Sequence, residues 1–288
     1  MRAAPSCADS YATGTVATSP AVRPGGARGG TGPTIDDTGS VHVSDAMTAK
    51  TTTITGHGGD AIEAYLAHPE DGTYGGVVVI HHMPGYDDAT KEIARKFAAH
   101  GYAAIVPNLY SREAPGASPD DAAAAARAQG GVPDERLVGD VAGAIEALRA
   151  LPGANGKVAT IGYCSGGRQS FLAAISLDLD AAVDCYGAFV VGTPPEGFPL
   201  AVTPLVDRVG DLSCPLLGLF GAEDQYPSPE QVAELEGALK AAGKPYDFHT
   251  YEGAGHAFFA VDRPSYRPEA AVDGWNRIWE FFGRHLAS

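Results

Sequence analysis

A cysteine flanked by glycines, in Gly162-Tyr-Cys-Ser-Gly166, is the residue of this chain best suited to attack a carbonyl carbon. Residues 158–161 before it have the apolar pattern of a buried strand, and residues 168–176 after it are compatible with a helix. In a strand, turn and helix of the G-x-S-x-G type, the glycines allow a strained turn that exposes the central side chain. The pattern predicts Cys164 as a nucleophile at a helix N-terminus, where the helix dipole and unpaired N–H groups favour the thiolate. A Gly-rich turn around an ordinary buried cysteine is one alternative, and attack by the neighbouring serine is another.

An acid and a histidine follow the cysteine in the order that a triad on an α/β sheet requires. Asp224 comes just after a predicted strand at residues 216–220, and His256 comes just after the next predicted strand. We expect His256 to take the thiol proton and later activate water, while Asp224 fixes the tautomer of the imidazole. Glu223 is the competing acid.

An oxyanion hole of this type uses the N–H after the nucleophile and a second N–H from the loop after the first central strand. Ser165 supplies the first N–H. Met83 in His81-His82-Met83-Pro84-Gly85 is the candidate for the second, because Pro84 has no N–H to donate.

We expect neither a metal nor a cofactor. His81 and His82 are adjacent, and neighbouring strand residues point to opposite faces, so a bidentate pair is disfavoured. The four cysteines show no C-x-x-C spacing, which predicts free thiols rather than a disulfide framework. Cys185 and Cys214 are predicted to be small core residues.

Composition limits the partners of the chain. Its 288 residues are 44% hydrophobic, which is enough for a sizeable core, and the formal net charge is −15. That charge argues against nucleic acid and anionic membranes, so an anionic substrate needs a local cation. No apolar run approaches the ~20 residues of a membrane span, and the first residues lack a secretory signal. We therefore expect a cytoplasmic protein, either a monomer or a small homo-oligomer.

The distribution of patterned segments predicts one domain after a tail. Residues 1–46 are rich in Gly, Pro, Ser, Thr and Ala without periodicity, which predicts a disordered tail before a domain at 47–288. Residues 187–213 hold many Gly and Pro and are expected to form a loop or cap over the site. The remaining segments alternate between strands and helices, which predicts a mostly parallel sheet covered on both faces. The predicted strands are 51–55, 61–66, 75–80, 102–106, 158–161, 180–186, 215–220 and 246–251. The predicted helices are 89–99, 121–128, 133–151, 168–176 and 267–286.

Four motifs in order resemble those of the dienelactone hydrolases and cover roughly residues 50–286. They are Gly162-Tyr-Cys-Ser-Gly-Gly167, Leu109-Tyr-Ser-Arg-Glu-Ala-Pro-Gly116, Gly221-Ala-Glu-Asp224 and Tyr251-Glu-Gly-Ala-Gly-His-Ala-Phe258. The resemblance implies an α/β-hydrolase fold and a Cys-His-Asp triad that hydrolyses an enol-lactone or related ester through a thioester, without a cofactor. It also implies that Arg112 grips a substrate carboxylate, although a structural ion pair is the alternative. Tyr186, at the end of its predicted strand, is a further candidate for the pocket wall.

The chain departs from the family pattern at two positions. Where the family has a glutamate that contacts the resting cysteine, this chain has His82, which is expected to pair with Cys164 or bind substrate. Where the family has a second carboxylate-binding arginine, this chain has Ala260. A catalytically silent ligand-binding or thiol-sensing protein therefore stays an alternative, and a cysteine amidase or peptidase is a further one.

Overall fold

The computed structural model describes residues 46–287, so the predicted tail lies outside the described residues apart from Ala46. The described chain forms an eight-stranded sheet with the order β1-β2-β4-β3-β5-β6-β7-β8. Strand β2 is antiparallel to both of its neighbours, β1 and β4, and the six strands β3 to β8 run parallel to one another. The predicted α/β-hydrolase fold with a mostly parallel sheet is confirmed.

The strands are β1 (Met47–Thr55), β2 (Ala61–Pro69), β3 (Tyr74–Ile80), β4 (Ala103–Pro107), β5 (Ala154–Tyr163), β6 (Ala181–Cys185), β7 (Leu216–Gly221) and β8 (Tyr246–Tyr251). The helices are α1 (Asp88–Ala99), α2 (Pro119–Ala128), α3 (Asp134–Arg149), α4 (Ser165–Ala174), α5 (Pro229–Ala241) and α6 (Pro268–Leu286). Short 3-10 turns occur at His57–Gly59 and Val206–Asp211.

The central strands are buried on both faces, which is why they appear in the sequence as continuous apolar runs. All seven residues of β3 are buried, and so are all of those of β4, β6 and β7. One face of the sheet packs against α2, α3, α4 and α5, and the other packs against α1 and α6. On the second face, Phe97 of α1 meets Trp279 and Phe282 of α6 with ring centroids 5.2 and 5.8 Å apart.

The five adjacent strands β3, β5, β6, β7 and β8 all end at the same edge of the sheet. The loops that follow these strands carry Met83, Cys164, Tyr186, Asp224 and His256, in that order across the sheet. Ligands of open α/β sheets bind beyond the carboxyl ends of the strands. The topology therefore gathers the predicted site residues at the edge where chemistry is expected.

Helix α5 is an element that the sequence interpretation missed. It begins after Ser228, whose side chain accepts from Gln231 N–H while the Gln231 side chain accepts from Ser228 N–H. That reciprocal capping box, with Pro229 at the first helical turn, is a readable start signal. The apolar positions of α5 are few, because only one face touches the sheet (Val232, Leu235, Leu239).

Within residues 46–287, none of the helices combines the length and the apolar character that a bilayer crossing requires. The segment at 187–213 contains no strand or α-helix, as predicted, and several of its residues cover the cavity described below.

Candidate active site

Cys164 occupies a strained turn between β5 and α4. Its backbone has φ 58° and ψ −123°, a combination that non-glycine residues rarely adopt. Two backbone hydrogen bonds stabilise the turn. Cys164 N–H donates to the Cys185 carbonyl at 3.1 Å, and Gly167 N–H donates to the Cys164 carbonyl at 3.0 Å. The strain therefore fixes a half-buried thiol at the N-cap of α4.

The glycines on either side of Cys164 are required by close backbone contacts. A Cβ atom on Gly162 would lie 1.9 Å from the Gly166 carbonyl oxygen, and one on Gly166 would lie 2.4 Å from the Ile80 carbonyl oxygen. The turn can therefore be built only if both positions lack a side chain.

His256 contacts the acid that the sequence favoured. Its Nδ1 lies 2.8 Å from Asp224 Oδ2, and Asp224 Oδ1 accepts from Tyr226 N–H at 2.9 Å. The Asp224 carboxylate is buried, while the adjacent Glu223 is exposed and bonds through its backbone N–H to the Ala254 carbonyl. With Nδ1 bonded to Asp224, Nε2 is the nitrogen left for Cys164, which lines the same cavity.

These contacts determine the charge of His256. Burial lowers the pKa of His256, but hydrogen bonds to Asp224 and Cys164 and the charges on those groups outweigh burial and raise its pKa to about 10. The imidazolium is therefore the favoured form at neutral pH.

His81 holds the loop that carries Met83. His81 is buried, its Nδ1 lies 3.0 Å from the His82 carbonyl oxygen, and its Nε2 accepts from Leu109 N–H at 3.3 Å. Burial lowers its pKa to about 4, so the ring is neutral and its proton sits on Nδ1, facing a carbonyl that only accepts.

The same contact sets the direction of the Met83 N–H. The His82 carbonyl and the Met83 N–H belong to one planar peptide unit and point in opposite directions. His81 Nδ1–H and Gly85 N–H (2.9 Å) both bind that carbonyl. They fix the orientation of the Met83 N–H, and Tyr110 Oη donates to the Met83 carbonyl at 3.2 Å on the other side.

A cavity of about 440 Å³ opens at the nucleophile and is lined by Cys164, Ser165, Met83, Asp224 and His256. The structure thus brings the three predicted triad residues and both predicted oxyanion-hole residues to one cavity. Most of the remaining wall is apolar and includes residues of the 187–213 segment, among them Ala188, Phe189, Phe198, Leu200 and Val202.

Arg112 does not belong to this cavity, which corrects its predicted role as a carboxylate grip. Its two Nη atoms donate to both oxygens of the Asp140 carboxylate at 2.8 and 2.9 Å, and its Nε donates to Asp60 at 2.7 Å. Asp140 is fully buried, so the guanidinium is needed there to compensate its charge. The ion pair ties α3 to the turn before β2.

His82 and Tyr186 are also placed differently from their predicted roles in substrate binding. His82 Nε2 lies 2.7 Å from Asp87 Oδ2, and Asp87 also caps α1 by accepting from Thr90 N–H at 2.8 Å. Tyr186 is 2% exposed and packs edge-on against the His256 ring with centroids 5.1 Å apart. Neither side chain lines the cavity; His82 is bonded to the start of α1, and Tyr186 supports the imidazole from behind.

Arg168 is a cavity residue that the sequence interpretation did not single out. It is 2% exposed, and its Nη atoms donate to both Asp134 oxygens at 2.9 Å and to the Thr203 carbonyl at 2.8 Å. Its position four residues after the cysteine, on the first turn of α4, is a signal that could have found it. Among residues 46–287, no group of three or more metal-binding side chains occurs.

Comparisons with known proteins point to one family. The model of the dienelactone hydrolase family matches residues 62–286. The chain is 35% identical over 252 residues to a protein of Escherichia coli named "Putative carboxymethylenebutenolidase", covering 84% of this chain and 89% of that one. A protein of Salmonella typhimurium with the same name is 34% identical over 253 residues, covering 85% and 91%. The crystal structure of a "Putative Dienelactone Hydrolase" from Klebsiella pneumoniae superposes with a TM-score of 0.72 at 31% identity, covering 83% of this chain and 99% of that one.

Proposed function

The chain belongs to the dienelactone hydrolase family, and we propose that it acts through a cysteine nucleophile, Cys164, and a thioester intermediate. Membership makes the chain a hydrolase of lactones or carboxylic esters. The observation that carries the proposal is the continuous contact from Asp224 through His256 to Cys164 at the mouth of one cavity.

In the first half of the reaction, the Cys164 thiolate attacks the acyl carbon and a C–S bond forms. The carbonyl electron pair moves to oxygen, and the oxyanion accepts from the N–H groups of Met83 and Ser165. When the carbonyl re-forms, the C–O bond to the leaving group breaks, and the imidazolium of His256 gives its proton to the departing oxygen. Asp224 holds Nδ1, so the proton leaves from Nε2.

In the second half, neutral His256 takes a proton from water, and the resulting hydroxide attacks the thioester carbon. The same two N–H groups hold the second oxyanion. Its collapse breaks the C–S bond, releases the carboxylic acid and restores the Cys164 thiolate beside the imidazolium. For a lactone, the alcohol and the acid stay on one product molecule.

The proposal is tested by comparing the hydrolysis of para-nitrophenyl acetate by the wild type, Cys164→Ala and Cys214→Ala. Cys214 is a buried free thiol that does not line the cavity, so it serves as a matched control. We expect Cys164→Ala to lose turnover by at least about 10³-fold and iodoacetamide to inactivate the wild type and Cys214→Ala equally. Wild-type turnover in Cys164→Ala would overturn the proposal. Alkylation of Cys164 without hydrolysis of any ester or lactone would favour a thiol sensor instead.

We also propose a cytoplasmic location. Cys164, Cys185 and Cys214 are all free thiols, and thiols persist in reducing compartments.

A further inference from the structure

We infer that the cavity beside Cys164 selects neutral esters or lactones with an apolar group and discriminates against substrates that carry a carboxylate. The inference rests on the proposed function, because it names the substrate class of the same site. Three features of the cavity support it: its arginine, Arg168, is paired with Asp134; a further acidic residue, Glu223, lines it; and part of its wall is aromatic.

The cation of the cavity wall is already paired. Arg168 is the one Lys or Arg among the described residues that line the cavity. Both oxygens of Asp134 bind its Nη atoms at 2.9 Å in a bidentate arrangement, while its buried Nε has no hydrogen-bond partner within residues 46–287. A substrate carboxylate entering here would have to compete with Asp134 for a charge that is already compensated.

The other charges of the cavity favour neutral ligands as well. The His256 cation is shared between Asp224 and the thiol that it activates. Glu223 is exposed and lines the cavity, which adds a negative charge at its edge. The formal net charge of −15 acts in the same direction, because it repels anions that approach the protein.

The arginines that could hold a carboxylate are committed elsewhere. Arg112 is bound by Asp140 and Asp60 outside the cavity lining, and position 260 is alanine. Arg127 comes nearer, but its Nη1 donates to the Met83 carbonyl at 3.4 Å and it does not line the cavity either.

An aromatic cluster forms the wall that remains for the substrate. The Phe189 ring lies 4.9 Å from Phe198 and 5.4 Å from Tyr226, measured between centroids, and all three residues line the cavity. Such a wall gains free energy by excluding water from an apolar group, and it provides no compensation for a charge. The cluster therefore fits an aromatic, branched or long alkyl group.

The test uses two para-nitrophenyl esters of nearly the same shape. One is the mono-ester of glutaric acid, and the other is a branched hexanoate in which an isopropyl group replaces the free carboxylate. We expect kcat/KM of the wild type to be at least about tenfold higher for the neutral ester, since one buried apolar group or one desolvated charge changes the rate by that much or more. Glu223→Gln should raise kcat/KM for the glutarate ester about two- to fivefold at low salt, and less at high salt.

Three variants complete the design. Phe198→Ala should lower kcat/KM for the branched ester about tenfold and change the acetate ester little, while Val272→Ala, exposed on α6, should change neither. Arg127→Met should affect both branched and glutarate esters alike, because Arg127 acts through Met83. A selective loss of the glutarate ester in Arg127→Met would overturn the inference.

The outcomes separate the two proposals. If the glutarate ester is turned over as fast as its neutral partner or faster, with acetate also hydrolysed through Cys164, the inference fails and the proposed function stands. If none of the three esters is hydrolysed, the proposed function fails and the inference fails with it. A preference for the neutral ester that disappears in Phe198→Ala supports the inference.

Discussion

Left-handed backbone conformations mark the residues around the nucleophile. Among residues 46–287, four non-glycine residues have positive φ: Cys164 (58°), Tyr186 (45°), Phe189 (66°) and Ala257 (62°). Cys164 is the proposed nucleophile, Tyr186 packs on His256, Phe189 lines the cavity, and Ala257 follows His256. Each such residue costs on the order of 1–3 kcal/mol and persists only where the surroundings impose it. The strain is concentrated at the site rather than spread over the chain.

Residue types and order were enough to predict that Cys164, Asp224 and His256 meet at one cavity, because strand ends and the sequence order of nucleophile, acid and histidine can be read without a structure. They did not predict the partner of Arg112. Asp140 lies 28 residues further on, in α3. Whether the Arg112 guanidinium pairs with this buried carboxylate or faces the cavity depends on how the elements pack, which the sequence does not show. They also left His81 without a role, because its partners are a neighbouring carbonyl and the distant Leu109 N–H.

The contact of His81 with the His82 carbonyl leads to a prediction about turnover. We expect His81→Leu to lower kcat by about 10²-fold with little change in KM, because the Met83 N–H loses its fixed direction toward the oxyanion. His81→Gln should recover part of the loss, since its amide N–H can donate to the same carbonyl. Steady-state kinetics with para-nitrophenyl acetate measure both parameters, and thermal unfolding confirms that the variants are folded. A folded His81→Leu enzyme with wild-type kcat would contradict the prediction.

At the scale of the elements, the sheet could be predicted because burial on both faces leaves continuous apolar runs such as β3. Helix ends were less certain: α6 was expected from residue 267 and begins at Pro268, while α5 was missed despite its capping box. The close approach of α4 to β3 and β5 cannot be predicted from the periodicity of apolar residues. That approach depends on two glycines rather than on an apolar pattern.

Gly162 therefore provides a test of the turn. We expect Gly162→Ala to cost at least about 4 kcal/mol in the free energy of unfolding, because its Cβ would lie 1.9 Å from the Gly166 carbonyl oxygen. Gly237→Ala is the matched control: Gly237 lies exposed in α5 with nothing within 4 Å of a Cβ, so the change should stabilise by about 0.5–1 kcal/mol. Denaturant unfolding of both variants measures the difference. Equal stability of the two would show that the turn tolerates a side chain.

At the scale of the whole molecule, the family match covers residues 62–286, and the eight strands of the described chain form one continuous sheet. A single domain at 47–288 stays a prediction. The predicted tail at 1–46 lies almost wholly outside the described residues, and its disorder stays a prediction. The acidic composition predicts that any anionic substrate needs a local cation. It could not show that the cavity cation is already bound to Asp134.

The buried carboxyl group of Asp184 makes the stability of the fold depend on pH. It is fully buried on β6, its Oδ1 accepts from Gly187 N–H at 2.7 Å, and its Oδ2 has no hydrogen-bond partner within residues 46–287. Burial raises its pKa to about 7, although the Gly187 hydrogen bond opposes that shift. Between pH ~4 and ~7 the folded state keeps a proton that the unfolded state has lost, so this group lowers stability as pH rises through that window.

Asp184→Asn removes that dependence. We expect the variant to gain melting temperature relative to the wild type at pH 8 and to gain much less at pH 5, because the amide needs no proton to stay neutral. Calorimetric unfolding of both proteins at the two pH values measures the difference. A gain that is the same at pH 5 and pH 8 would show that Asp184 is ionised in the fold at both.

The most direct test of the cysteine mechanism is the identification of the acylated atom. Wild-type enzyme is mixed with a para-nitrophenyl ester, quenched in acid during turnover, digested and analysed by mass spectrometry. We expect one acyl group on the peptide that contains Cys164 and Ser165, assigned by fragmentation to the Cys164 sulfur and removed by hydroxylamine. His256→Asn should accumulate more of it than the wild type if deacylation is slowed more than acylation, because no base then activates the water. An acyl group on Ser165, or full turnover by Cys164→Ala, would contradict the account.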